Sequence, residues 1–278
     1  MRIVHDEPLR PAHSKRAFVP TMGALHDGHR ALIQQARHLV GTEGEVVVSI
    51  FVNPTQFGAG EDFDAYPRDL QSDIDFCARE GVDFIYAPSV DGIYGQSAPA
   101  RVTIDPGPLG DMWEGSNRPG HFAGVLTVVA ILLHKVQPDI AIFGEKDYQQ
   151  LVLIRRMCRE LSFGVQIVGV PTVRDHDGLA LSSRNVYLDD AERAIAQAIP
   201  QAIQASLAQA PRGEQAVVAA AQTVLRDAGL TPDYLVVCDE DLGPAPTEGS
   251  ARLLVAVPVG RTRLIDNCAL RIGGDDDN

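Results

Sequence analysis

Four cysteines in 278 residues, Cys77, Cys158, Cys238 and Cys268, are too few and too scattered to form a scaffold. None stands in a CxxC pair, so neither a zinc knuckle nor a disulfide framework is indicated, and buried reduced thiols are expected. Basic charge is also scarce: 24 Lys and Arg against 37 Asp and Glu leave a formal net charge of −13. That balance disfavours a broad surface for nucleic acid, but it leaves room for a small anion held by a few local cations. Long apolar runs are missing too. The longest, Phe122 to Val136, is broken by Thr127 and closes on His134 and Lys135. It falls short of the ~20 apolar residues of a membrane span and reads as a buried helix. The opening MRIVHDEPLR turns polar within a few residues, where a secretory leader would continue apolar, so a cytoplasmic location is expected.

A hydrophobic content of 45%, with 25 Gly and 18 Pro, suffices for one large core or two unequal ones. Residues 16–20 and 46–51 are short β-rich apolar runs closed by turn residues, the pattern of buried parallel strands. Alternation predicts helices over 30–40 and 70–80, a strand over 82–87, a long helix from Phe122, a strand over 139–143, a helix over 148–161 and a strand over 165–170. Such a series is an α/β fold with a doubly wound, Rossmann-like parallel sheet, assigned to residues 1–172. From 173 to 278 the texture changes. Two Ala- and Gln-rich helices, 191–210 and 214–228, precede strands at 233–238, 252–257 and 262–270, which predicts a smaller α+β C-terminal domain ending in a disordered acidic tail.

The unusual polar motifs all follow predicted strands: PTMGALHDGH (20–29), NPTQF (53–57), GEKD (144–147) and PTVR (171–174). In an open parallel sheet the ligand sits at the carboxyl ends of the strands, so these motifs are expected to converge on one cleft. Gly23 and Gly28 bracket four residues as P-loop glycines do, but His29 and Arg30 stand where that motif requires Lys and Ser or Thr. Glycines still admit an anion to the backbone, and a helix starting near Gly28 aims amide groups and a positive dipole end at it. His26 and His29, three apart on a helix, would share a face and add donors. Two blander readings stand beside this one: a metal site at the histidine pair, or imidazoles that merely shape a turn.

The set PTMGALHDGH, SIFVNPTQF, AYPR, RPGHFAGV, FGEKDYQQL and GLALSSRN, running from Pro20 to Asn185, resembles the pantoate–β-alanine ligase family of the HxGH nucleotidyltransferase superfamily. The resemblance implies that ATP and (R)-pantoate form pantoyl adenylate and pyrophosphate, after which the β-alanine amine displaces AMP. It implies that Met22, Gly23, Ala24, Leu25, His26, Asp27, Gly28 and His29 cradle ATP, with His29 as proton donor. Gly144, Glu145, Lys146, Asp147, Val173, Leu181, Ser182, Ser183 and Arg184 complete the ATP site by the same resemblance, Val173 through its backbone. The same resemblance implies that His26, His29, Lys146, Ser182, Ser183 and Arg184 carry the catalytic work. For Ser182 and Ser183 the alternative is a cap or turn. Gln56 and Gln150 are expected to face pantoate. Asn53, Tyr66, Arg118 and His121 are further substrate-binding candidates that could equally fix loop geometry. Mg²⁺ is implied by ATP, with Asp73 and Asp147 as possible ligands, although Ser72 stands where relatives have a second acid, and Asp69 and Asp75 read equally as a solvated helix face. The resemblance also implies a homodimer and a C-terminal domain closing over the cleft. Before the first core strand the chain has only about fifteen residues, fewer than the family's usual leading strand and helix.

Other readings are a cytidylyltransferase-like enzyme, a catalytically silent nucleotide-binding module, and a dinucleotide-dependent oxidoreductase. Gln56, Gln150 and FGEKDYQQL speak against the first. Intact His26, His29, Lys146 and Arg184 speak against the second, and the lack of a GxGxxG after any strand against the third.

Overall fold

A computed structural model describes residues 1–10, 12–58, 60–95 and 102–273. The acidic tail expected at the C-terminus lies, beyond Gly273, outside the described residues. The chain divides into two compact units: Met1–Glu145 with Gln150–Pro171, and Lys146–Gln149 with the chain from Thr172 onward.

The first unit is the doubly wound α/β fold. Six parallel strands, β1 (Arg2–Val4), β2 (Arg16–Thr21), β3 (Glu45–Ile50), β4 (Phe84–Tyr86), β5 (Ile140–Gly144) and β6 (Gln166–Val170), take the spatial order β1-β4-β3-β2-β5-β6. Ala17, Phe18 and Val19 of β2 and Val46, Val47 and Val48 of β3 have no exposure at all, which is why these strands read as unbroken apolar runs. Helix α1 (Asp27–Val40) sets Ile33 and Ala36 into that core, and α2 (Leu70–Arg79) adds Phe76 and Cys77. α5 (His121–Val136) is the long apolar helix, buried over most of its length. No helix among the described residues is long and apolar enough to cross a membrane. The guanidinium of Arg16, only 2% exposed, donates to Glu45, to the Val136 carbonyl and to the Arg10 carbonyl, so its buried charge is paired.

Strand order reverses between β2 and β5, the place where such sheets open a crevice. The segment following β2 is therefore where a ligand loop belongs. β1 is a three-residue edge strand paired with β4 that hydrophobic pattern did not reveal, and α3 (Val90–Tyr94) and α4 (Glu114–Asn117) are short helices equally silent in the sequence.

In the second unit α6 begins (Tyr148–Glu160), and α7 (Asp190–Ala196), α8 (Ala198–Leu207) and α9 (Glu214–Asp227) accompany an antiparallel sheet β7-β8-β9 (Tyr234–Cys238, Gly249–Val259, Thr262–Ile272). The helix expected over 191–210 is broken at Gln197. Pro200 supplies the cause: it has no N–H for the carbonyl four residues back, and its ring crowds that carbonyl. Ile199, Ala202, Ala221 and Leu225 pack with Val255 and Val257 into one apolar cluster.

All four cysteines are free, three buried and Cys268 half-buried. Burial pushes the thiols of Cys77 and Cys238 up to about 12 and those of Cys158 and Cys268 up to about 11, so all four stay protonated at neutral pH.

Candidate active site

The turn after β2 is built on positive φ: Gly23 at 82° and Ala24 at 51°, the latter a conformation that costs an L-residue. The Asp73 carboxylate of α2, 4% exposed, holds this turn by accepting from the amides of Ala24 (3.0 Å) and Leu25 (2.8 Å). A β-carbon at Gly23 would stand 2.6 Å from Asp73 Oδ2, so glycine is required by space as well as by φ. Burial raises the Asp73 pKa, and the two amide hydrogen bonds act against that rise.

The chain then enters α1 through an unusual cap. His26 is the extended N-cap residue, not a member of the helical face, and its Nδ1 accepts from the Gly28 amide at 3.1 Å. His29, three residues on, accepts from the His26 amide through its own Nδ1 at 3.2 Å. This is the reciprocal capping box, with two imidazoles in place of Ser and Glu. Since an amide N–H can only donate, both Nδ1 atoms are acceptors, and each neutral ring carries its proton on Nε2. The ring centroids are 4.2 Å apart. Two N–H donors with fixed tautomers thus stand at a helix N-terminus, beside the dipole end that favours an anion.

After β3, Asn53 caps the single 3-10 turn Pro54–Gln56. Its Oδ1 accepts from Thr55 N, Thr55 Oγ1 and Tyr94 OH, and its Nδ2 donates to Gln56 Oε1 (3.1 Å) and to the Gly124 carbonyl (3.3 Å). Both donors and the acceptor are therefore used, and at 1% exposure Asn53 is a fixture of the turn. Gln56 Nε2 reaches back to Met22 Sδ at 3.2 Å, which brings the second strand-end motif onto the first.

Arg118 and His121 likewise serve the turn. Arg118 donates bidentately to Glu61 (2.8 and 2.6 Å) and to the Gln56 carbonyl (3.3 Å), and its Nη1 meets His121 Nε2 at 3.1 Å. His121 Nδ1 lies 2.8 Å from the same carbonyl. The carbonyl can only accept, so His121 is protonated at Nδ1 and takes a hydrogen bond from Arg118 at Nε2. Tyr66, buried, packs edge-on to Phe57. Of the four further substrate-binding candidates, Asn53, Arg118 and His121 are thus bonded into the turn that carries Gln56, and Tyr66 packs beside it. Sequence reasoning missed Glu61, Tyr94 and Gly124. Only the last left a signal, a small residue inside RPGHFAGV.

Burial, then the Arg118 charge, hold the His121 pKa down at about 4, with the Gln56 carbonyl, Glu114 and Glu61 acting the other way. An unfolded imidazole titrates near 6.5. Between these values the unfolded chain binds the extra proton, so stability is complete above about pH 6.5 and is lost as pH falls toward 4, by about 3 kcal/mol from this group. Urea unfolding at pH 7.5 and 5 should show the loss. His121→Asn, which keeps a donor near Nδ1 but cannot titrate, should flatten the slope; parallel slopes would contradict this assignment.

In the second unit, the Lys146 carbonyl accepts from Asn267 Nδ2 at 2.8 Å, which ties the start of the 146–149 segment to β9. The Arg252 guanidinium lies 3.9 Å over the Tyr148 ring. Residues 173–181 form a hairpin: Leu181 N donates to Val173 O (2.9 Å), and Arg174 bridges Ala180 while its guanidinium pairs with Asp266. Ser182 then caps the 3-10 turn Ser183–Tyr187 by accepting from Arg184 N at 3.3 Å. The hydroxyl caps the turn as an acceptor, a bond that does not use its own proton. Gln150, in the first unit, sits half-buried in the first turn of α6.

The acidic candidates do not make a metal cage. Both oxygens of Asp73 are engaged by loop amides, Asp147 is exposed on a 3-10 turn, and among the described residues no group of three or more His, Cys, Asp or Glu could hold an ion. The histidine pair is also poorly suited to a cation, because both Nδ1 lone pairs accept amide protons.

Comparison with known proteins bears on what this arrangement does. The Pantoate-beta-alanine ligase family profile matches residues 2–269. A pantothenate synthetase of Saccharopolyspora erythraea is 54% identical over 271 residues, covering 97% of this chain and 88% of that protein. The crystal structure of the pantothenate synthetase of Thermus thermophilus superposes with a TM-score of 0.88 at 46% identity, over 96% of this chain and 99% of that one. A pantoate-beta-alanine ligase from Francisella tularensis, complexed with β,γ-ATP and β-alanine, gives a TM-score of 0.77 at 35% identity over 93% and 91% of the two chains. With a matching profile over nearly its whole length and relatives above half identity, this chain belongs to the pantoate–β-alanine ligase family.

Proposed function

We infer that the protein is an ATP-dependent ligase that joins (R)-pantoate to β-alanine to give pantothenate. A carboxylate is a poor acyl donor at neutral pH because its leaving group would be oxide. In the reaction inferred here, a pantoate carboxylate oxygen attacks the α-phosphorus of ATP, the bond to the β-phosphate oxygen breaks, and pyrophosphate leaves. The β-alanine nitrogen, as the free amine, then attacks the acyl carbon of pantoyl adenylate and AMP departs with the carboxylate oxygen. Little covalent work falls to the protein, which must align the groups and stabilise charge at phosphorus.

The observation that carries this reading is the imidazole capping box, which presents two Nε2–H donors at the N-terminus of α1 with Gln56 held against the same loop. His26 and His29 donate to phosphate oxygens, His29 to the charge that develops in the transition state. Lys146 and Arg184 supply cationic donors to the triphosphate and Ser183 a hydroxyl. Gln56 and Gln150 bind the pantoate hydroxyls and carboxylate without adding negative charge. Mg²⁺ belongs to this reading as a companion of the triphosphate, whose negative charge it would partly neutralise when bound. So do a cytoplasmic location and a homodimer.

Incubation with ATP, pantoate and β-alanine tests the reading. Pantothenate and AMP are expected in equal amounts. Formation of ADP and phosphate, or equal turnover with CTP, would contradict it.

A further inference from the structure

We propose that Asp73 is a positioning residue for the nucleotide loop, holding the left-handed Gly23–Ala24 turn through the amides of Ala24 and Leu25, and not a ligand of the nucleotide's cation. The inference rests on the reading of residues 22–29 as the ATP loop. Three observations converge on it. Each carboxylate oxygen accepts one loop amide, at 3.0 and 2.8 Å, across about fifty residues of sequence. Those amides belong to a turn that includes a non-glycine residue at φ 51°, which persists only where the surroundings impose it. The loop approaches the carboxylate so closely that a β-carbon at Gly23 would meet Oδ2 at 2.6 Å, so there is no spare room on the loop side of that oxygen.

The consequence runs along the chain. Leu25 is followed at once by His26, whose extended backbone and ring cap α1 and set the tautomer of both histidines. Freeing the turn would let the cap residue drift, and with it the two Nε2–H donors. Asp73 thus acts on the nucleotide at second hand, through loop geometry. A carboxylate is suited to this place because it offers acceptors to both amides, whereas an amide side chain would face one of them with its own NH₂.

The test is ATP binding by calorimetry to the full chain, with Mg²⁺ and with EDTA, for wild type, Asp73→Asn, Asp73→Glu, and Asp73→Asn combined with Ala24→Gly. Asp73→Asn should weaken ATP about tenfold or more, as for a lost acceptor facing a buried donor, and by the same factor in both buffers. Asp73→Glu keeps a carboxylate that a metal could use but displaces its oxygens, and should lose ATP comparably. It also keeps the idea falsifiable should Asp73→Asn fail to fold. Ala24→Gly should recover part of the Asp73→Asn loss, because glycine adopts positive φ without steric cost. A loss seen only with Mg²⁺, retained binding in Asp73→Glu, no loss in Asp73→Asn, or no recovery with Ala24→Gly would each overturn the proposal. A wild-type chain that does not bind ATP would instead overturn the loop reading itself, and this inference with it.

Discussion

His29→Ala should lower turnover by at least about 10²-fold, the scale for removing one donor aimed at transition-state charge. Alanine also removes the acceptor for the His26 amide, so that variant mixes a catalytic loss with a capping loss of about 1 kcal/mol. His29→Asn separates the two. Its Oδ1 falls where Nδ1 was and can still accept from His26 N, while nothing replaces the Nε2–H. Stability close to wild type with turnover still down by about 10² or more is the expected pair of results, measured by urea unfolding and steady-state kinetics. Near-normal turnover in the asparagine variant would mean that His29 serves only to cap the helix.

Gly124→Ala should be nearly as damaging, by a different route. The glycine lies in the first turns of α5, where the helix backbone meets the Pro54–Gln56 turn. A β-carbon there would lie 2.6 Å from the Thr55 carbonyl carbon and 2.9 Å from the Gln56 nitrogen, and closer still to the Thr55 oxygen. These are backbone atoms, so no rotamer change relieves the contact and helix and turn must separate. Asn53 donates to the Gly124 carbonyl and to Gln56 Oε1, hence separation also frees the Gln56 side chain. A stability loss of about 1–3 kcal/mol is expected. With it should come a pantoate KM raised by roughly tenfold or more, the scale of one lost positioning hydrogen bond, while the KM for ATP changes far less. Gln56→Ala should reproduce the pantoate effect while helix and turn stay in contact, its stability cost confined to the hydrogen bond that Asn53 Nδ2 loses. Equal effects on both substrates in Gly124→Ala would indicate general loosening instead.

Legibility in the sequence followed burial. β2, β3 and β5 are covered on both faces and announce themselves as short apolar runs, and α1 shows its stripe through Ile33 and Ala36. β1 is short and mostly exposed, so its only organiser is the edge of β4, which pattern cannot see. The break at Gln197 was written in Pro200, yet the Ala- and Gln-rich run around it carried the longer helix. For the site, the motifs named residues better than roles. Whether Arg118 meets a substrate or Glu61 depends on two segments about sixty residues apart coming together. The tautomers of His26 and His29 depend on which ring nitrogen accepts an amide, and spacing alone is compatible with either. For Asp73, acidity is visible in a sequence, whereas the two loop amides it accepts from are not.

The decisive measurement is exchange of labelled pyrophosphate into ATP in the absence of β-alanine. A ligase that activates the carboxylate first must catalyse this exchange when pantoate is present and must not when it is omitted, and His29→Asn must slow it in step with overall turnover. Exchange that needs no pantoate, or that appears only once β-alanine is added, would contradict the adenylate route and the roles given to the imidazole pair.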